Sequence, residues 1–412
     1  MVTISRLRCG RLLLTATCLA IVCVIATPVW PQSQTLNITL TGQSMIRADI
    51  RINTPTAVAT ISPLLKGDVI FTNFEATVIE KDQSTHDGRF LSPPEALDAL
   101  KALGFNLLAL SDNHSFDLKV PGVQNTLREI TSRNLAHAGI GKTLEEAAAP
   151  GYLHTPKGTV ALVAMASGLI ADGASATATR PGVNELRVEA GGKPNESTTL
   201  LPAEPGNEPN PEDEQRILQS IRDAHKRSDL VIVYEHNHVF LNRPFGTILL
   251  EELPERLAPA DWLKKWTHAE IDAGADIIVM HGAPLIHGVE IYHDRPIFYD
   301  LGNFIFNVPP VDIQLDEPII WESVVAHVAF QGRPLQSITF QPIALNKIGR
   351  GQPDTQGEHT NNLFLQTRGL PMPATGEQAS YILQRLADAS RPFGTMVVLK
   401  GDTAEITLNH RN

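Results

Sequence analysis

Leu230-Val-Ile-Val-Tyr-Glu-His-Asn-His238 decides how this chain is read: an apolar run passes directly into a carboxylate, an imidazole, an amide and a second imidazole. A short apolar run bounded in this way reads as a buried strand, and the polar residues stand at its carboxyl end. The arrangement recurs. Val69-Ile-Phe-Thr is followed by Asn73-Phe-Glu75, and Leu107-Leu-Ala-Leu by Ser111-Asp-Asn113-His114. Ile277-Ile-Val-Met leads into His281-Gly, and Ile297-Phe-Tyr into Asp300-Leu-Gly-Asn303. In an α/β sheet, ligands collect at the carboxyl ends of strands, so convergence of these ends builds one site from Glu75, Asn113, His114, His236 and His281.

Further apolar runs at 36–40 and 160–165 alternate with helical patterns at 94–103, 122–132, 211–225 and 260–273, the last closed by Gly274. This alternation predicts an α/β sheet protein. A final helix is expected near 379–389 and a strand at 395–399. Between 171 and 215 the chain is rich in Gly, Pro, Ser, Thr, Asn and Glu with little apolar periodicity, which reads as a flexible surface insertion.

The N-terminus is a different kind of sequence. Arg6, Arg8 and Arg11 precede an apolar run from Leu12 to Val29, so residues 1–32 read as a secretory signal peptide or, if uncleaved, an N-terminal anchor. An exported protein is expected, periplasmic or extracellular, with membrane contact only through that segment. All three cysteines, Cys9, Cys18 and Cys23, lie inside it, so the expected mature domain, 36–410, has no disulfide. The chain carries 34 Lys and Arg against 45 Asp and Glu, a formal charge of −11. Loss of the three arginines makes that −14. Such a surface repels phosphate backbones and excludes nucleic acid as a partner. No Gly-rich phosphate loop and no Gly-x-Ser-x-Gly elbow occurs, which disfavours nucleotide kinases and common serine hydrolases.

Imidazoles with a carboxylate and an amide oxygen, and no thiolate, suit a borderline divalent ion such as Zn²⁺ or Mn²⁺. Asp112 and Asp117 flank the Asn113-His114 pair, and Asp117 is spaced to orient the His114 ring. His86, His137, His154, His225, His268, His293, His327, His359 and His410 lack the strand-end context and receive no role.

These residues resemble the CapA family, named for poly-γ-glutamate capsule biosynthesis, within the calcineurin-like metallophosphatase superfamily. Leu40-Thr-Gly-Gln-Ser-Met-Ile46, Thr72-Asn-Phe-Glu75 and Ser111-Asp-Asn-His-Ser-Phe-Asp117 are similar to its successive motifs. Ala138-Gly-Ile-Gly141, Ala273-Gly-Ala-Asp276, His281-Gly282 and Pro296-Ile-Phe-Tyr-Asp-Leu-Gly-Asn-Phe304 follow in order. The resemblance implies a four-layer αββα sandwich of two mixed sheets flanked by helices. It also implies Glu75, Asn113, His236 and His281 as metal ligands and His114 as the proton donor beside the metal, with Asp117 behind it.

Two departures stand out. The family's opening Gly-Asp is Gly42-Gln43 here, and the last histidine of its Gly-His-Gly-Pro-His motif is replaced by Pro284. Both lost residues serve the same metal of the superfamily's pair, so one ion is expected in preference to two, with His238 or His287 as the candidate substitutes. The function expected is a metal-dependent hydrolase or transferase acting on an anionic cell-envelope polymer, with Arg47, Arg89 and Asn303 as substrate contacts; Arg51 joins Arg47 and Arg89 as the basic patch that an accessory polymer-binding role would need. The alternatives are a non-catalytic accessory protein that binds or helps export capsule polymer alongside the biosynthesis machinery, and metal-free epimerisation of a peptide using His114 or His236 with Asp112 or Asp117.

Overall fold

Strand Leu230–Asn237 is buried along its length, and its residues sort by parity. Leu230, Ile232 and Tyr234 pack with Ile38, Phe71, Leu162 and Ile277. Val231 and Val233, on the other face, pack with Ile217, Ile221 and Trp266 of two helices. Successive side chains alternate across a strand, so this strand has a second sheet on one side and helices on the other. That double cover is why the run has no polar face.

The computed structural model describes residues 34–81, 89–190, 207–240, 256–308, 317–352 and 363–408. These fall in one compact unit, Gln34–Asn412. The expected signal peptide or anchor at 1–32 lies outside the described residues.

The smaller sheet has six strands in the order Val289–Tyr292, Arg295–Phe298, Ile277–His281, Leu230–Asn237, Gly158–Ser167, Gly151–Thr155. Its central four are parallel and its edges antiparallel. The larger sheet has nine strands. Its parallel half runs Thr35–Leu40, Val69–Asn73, Leu107–Ala109, Ala136–Ala138, and an antiparallel meander of Glu322–Gln331 and Leu335–Leu345 continues from Thr35–Leu40. Helices Glu95–Leu103 and Lys119–Ser132 cover the outer face of this sheet through Leu97, Leu100, Val123 and Leu127, against Ile70 and Leu108. Helices Pro211–Arg227 and Asp261–Ala273 cover the other. The layers are therefore helix, sheet, sheet, helix, as the resemblance implies. Gly376–Ser390 lays Ile382, Leu383 and Leu386 against Val289 and Ala404, closing the open side of the inter-sheet core.

The expected insertion at 171–215 differs from its composition. Its described parts carry short strands, Gly182–Val183, Val188–Ala190 and Asn207–Pro209. Ala174, Val183, Asn184 and Leu186 are buried. The Asn184 side chain donates to the Ala164 carbonyl at 2.8 Å, and the Ser111 hydroxyl to the Asn184 carbonyl at 3.1 Å. Polar residues that satisfy neighbouring strand ends give the same composition as a free loop. Residues 191–206 lie outside the described residues.

Candidate metal centre

The parallel strands of each sheet end level with one another, with His236 opposite His281 in the smaller sheet and Asn73 opposite Ala109 in the larger. Each end then places a side chain. Beyond Asn73, Phe74 N–H donates to the Ala109 carbonyl at 2.9 Å and Glu75 N–H to the Ser44 carbonyl at 3.2 Å, which holds Glu75 over the sheet end. Beyond Ala109, Asp112 accepts the His114 N–H at 2.9 Å and the Asn73 amide at 3.1 Å. The Ser115 hydroxyl accepts the Asp112 N–H at 3.0 Å. This Asx-type turn fixes Asn113 and His114. It also assigns Asp112, expected as a possible proton carrier, to holding the loop.

His236 and His238 stand two apart on their chain and share a face, and the two sheets meet at them. His236 Nε2 lies 2.9 Å from Asn113 Oδ1, 3.0 Å from His238 Nε2 and 3.7 Å from Glu75 Oε1. Ligand atoms of Glu75, His236 and His238 all lie within 4.8 Å of one another. Burial holds both imidazoles neutral: His236 is pulled well below its ordinary value, with His238 and His281 adding to the effect, and His238 down to about 3. Glu75 is pushed well up by burial, partly opposed by His114, and its Oε2 has no hydrogen-bond partner. Neutral ring nitrogens, an amide oxygen and a buried carboxyl with one unpartnered oxygen converge there, with the His114 imidazole only partly offsetting the carboxyl. That donor set fits a borderline divalent ion.

His281, expected as a ligand, is not among the atoms gathered within 4.8 Å. It is the register neighbour of His236, is buried, and has no hydrogen-bond partner at either ring nitrogen. Burial lowers it to about 3. Gly282 allows this strand end its position, because a Cβ there would lie 2.1 Å from the Asn237 carbonyl oxygen. His238 is the residue that the motif pattern does not assign; the signal for it was the His-x-His spacing that puts both rings on one face. His287 packs against the Arg256 carbonyl and does not join the group.

His114 sits at the edge, 27% exposed at its side chain. Its Nδ1 donates to Asp117 Oδ2 at 3.0 Å, and that oxygen also accepts the Phe90 N–H at 2.6 Å. Burial works against the charged imidazole, but the hydrogen bond and charge of Asp117, with Glu75 and Asp112 behind, raise it to about 9. Arg89 donates to the Asp117 carbonyl at 3.2 Å, beside this dyad. Arg47, expected as a substrate contact, is 1% exposed, with its guanidinium 3.8 Å from the Phe90 ring centroid. Phe90 in turn touches the His114 ring at 5.6 Å between centroids, so Arg47 supports the wall of the site from beneath. Arg51, the remaining arginine, is paired with Asp49 at 2.7 Å.

Gln43 and Pro284 stand where the resemblance puts ligands of a second ion. Gln43 is buried with Oε1 unpartnered, and Pro284 brings no donor. Asn303 pairs in register with Gln43, is fully buried, and donates to the Ile320 carbonyl at 2.9 Å, which makes it a loop anchor with one free oxygen rather than an open substrate contact.

Residues 37–308 match the family model described as bacterial capsule synthesis protein PGA_cap. The chain belongs to this family. It is 30% identical over 426 aligned positions to the uncharacterized protein y4sH of Sinorhizobium fredii (strain NBRC 101917 / NGR234), covering 84% of this chain and 87% of that one. It is 26% identical over 251 positions to the PGA biosynthesis protein CapA of Bacillus subtilis (strain 168), covering 60% of this chain and 56% of that one. A solved structure titled a novel phosphatase from Mycoplasma pneumoniae aligns with 76% of this chain and 94% of that one at TM-score 0.41 and 10% identity. The family is one of capsule polymer biosynthesis. No helix among the described residues is long and apolar enough to cross a membrane.

Proposed function

We propose that this protein is an exported hydrolase or transferase of capsule synthesis with one divalent metal, acting on an anionic cell-envelope polymer of the poly-γ-glutamate kind. The observation that carries the reading is the convergence of Glu75, Asn113, His236 and His238 at the meeting of two sheets, with His281 adjoining and a protonated His114 at the rim. When bound, a divalent ion supplies Lewis-acid polarisation of an amide, ester or phosphoryl oxygen. The chain's own residues do the rest. Asp117 takes one ring proton of His114 as a hydrogen bond and aims the other nitrogen at the rim, where it can donate a proton to a leaving group. The low dielectric around Glu75 and the imidazoles strengthens every charge interaction there. Arg89 stands beside the dyad, placed to meet a carboxylate of an anionic chain.

The test pairs metal content with turnover of γ-glutamyl and ester substrates. His114→Ala is expected to keep its metal and lose activity; retained activity in that variant contradicts the role of His114. The accessory reading draws on Gln43 and Pro284, which leave the second ion's position without its usual donors. It predicts polymer binding without turnover by the metal-loaded protein.

A further inference from the structure

Tyr234 precedes His236 by two residues on the same strand, so both side chains point into the space between the sheets. The Tyr234 side chain is fully buried among Phe71, Val279 and Leu40, in an apolar core with no water to satisfy a phenol. Its hydroxyl lies 3.1 Å from His236 Nδ1, the nitrogen on the far side of the ring from Asn113, His238 and Glu75. The Tyr234 ring also touches His281, with centroids 5.4 Å apart, and Phe71, at 5.6 Å. One aromatic residue thus props both strand-end imidazoles from below.

We propose that Tyr234 is a positioning residue that accepts the Nδ1 proton of His236 when Nε2 faces an ion and so presents Nε2 as a metal ligand, an inference that rests on the metal-centre reading above. A neutral imidazole has one N–H and one lone pair, and a ligating nitrogen needs the lone pair. With Nε2 turned to an ion, the single proton sits on Nδ1 and needs a buried acceptor. The partner histidine Nδ1 has here is a phenol oxygen instead of the more usual carboxylate or backbone carbonyl. A phenol both donates and accepts, so the same contact serves the other tautomer as well. In the metal-free protein the Tyr234 O–H donates to Nδ1 while Nε2–H donates to Asn113 Oδ1; on loading, the direction of the Tyr234–His236 bond reverses.

Tyr234→Phe keeps the ring and removes the switch. Zn²⁺ affinity, measured by competition with a chromogenic chelator on the tag-free full chain, is expected to fall about 10–100-fold, the range for loss of such a partner. Affinity within about two-fold of native overturns the inference. Nitrogen-15 histidine NMR of the native protein gives a second, variant-free check: loading with Zn²⁺ should move the His236 proton from Nε2 to Nδ1. A loaded His236 without a proton on Nδ1 overturns the inference while leaving the metal reading intact. A native chain that takes up no Zn²⁺ overturns both.

Discussion

Strand Leu230–Asn237 carries two buried acidic surroundings one residue apart, on opposite faces of its sheet, and they differ in what accompanies the acid. On the inner face, at His236, the Glu75 carboxylate meets two neutral imidazoles and an amide oxygen. On the outer face, Glu235 accepts the Ser167 hydroxyl at 2.7 Å and leaves Oε2 unpartnered, and both oxygens of Glu270, on helix Asp261–Ala273, are buried without a partner. Burial raises Glu235 to about 7 and Glu270 well above its ordinary value, with the Glu235 charge adding to the latter. An acid pair alone lowers its cost by holding protons; an acid among neutral nitrogen donors is suited to an ion. A third case completes the contrast: Asp276 is equally buried but lies 2.6 Å from Arg333 and 3.3 Å from Arg295, whose charges partly offset the rise that burial imposes on its carboxyl.

The largest effect expected is at the inner site. His236→Ala should weaken Zn²⁺ binding by about 100-fold or more, while Glu270→Gln leaves it unchanged, as read by chelator competition. If Glu270→Gln also strips the ion, the distinction between the two faces fails.

Arg333→Ala sharpens the third case. Removing one partner of a buried carboxylate should cost about 3 kcal/mol in denaturant unfolding, moderated by the remaining Arg295. A loss below about 0.5 kcal/mol would mean that the Asp276 pair contributes no more than an exposed one.

The outer acid pair carries a pH signature. A carboxyl whose folded value lies near 7 and whose unfolded value is 4.5 binds more protons when folded. Its contribution is complete below the unfolded value and is lost as pH rises through the folded one. Glu270→Gln removes one of the two acids, so it should raise the midpoint of thermal unfolding by about 2 °C near pH 8 and leave it unchanged near pH 4. A gain independent of pH would show that the pair is not held protonated. The smallest effect expected is Arg89→Ala, with metal content unchanged and stability within about 0.5 kcal/mol of native.

Much of the fold is legible in the sequence. The apolar runs at 36–40, 69–71, 107–110, 160–165, 230–234, 277–280 and 296–299 all correspond to strands, because strands covered on both faces cannot hide their hydrophobicity. The meander Glu322–Gln331 and Leu335–Leu345 leaves no clear mark in the sequence. Its faces alternate between buried and half-exposed, so Ser, Thr, Gln and His interrupt the runs. At the site, strand-end position points to Glu75, Asn113, His114, His236 and His281. It gives His238 only as a substitute at the other ion's position, because a ring's reach depends on where the opposite sheet brings Asn113 and Glu75. Nor did it show that Arg47 is covered by Phe90: a guanidinium beside an aromatic ring and one open to solvent look alike in sequence.

The most direct test of the single-ion centre is the metal content of tag-free protein, by inductively coupled plasma mass spectrometry, beside His236→Ala. The expected result is one tightly held divalent ion per chain in the native protein and none in the variant. A native chain without metal, or an ion retained by His236→Ala, would contradict it.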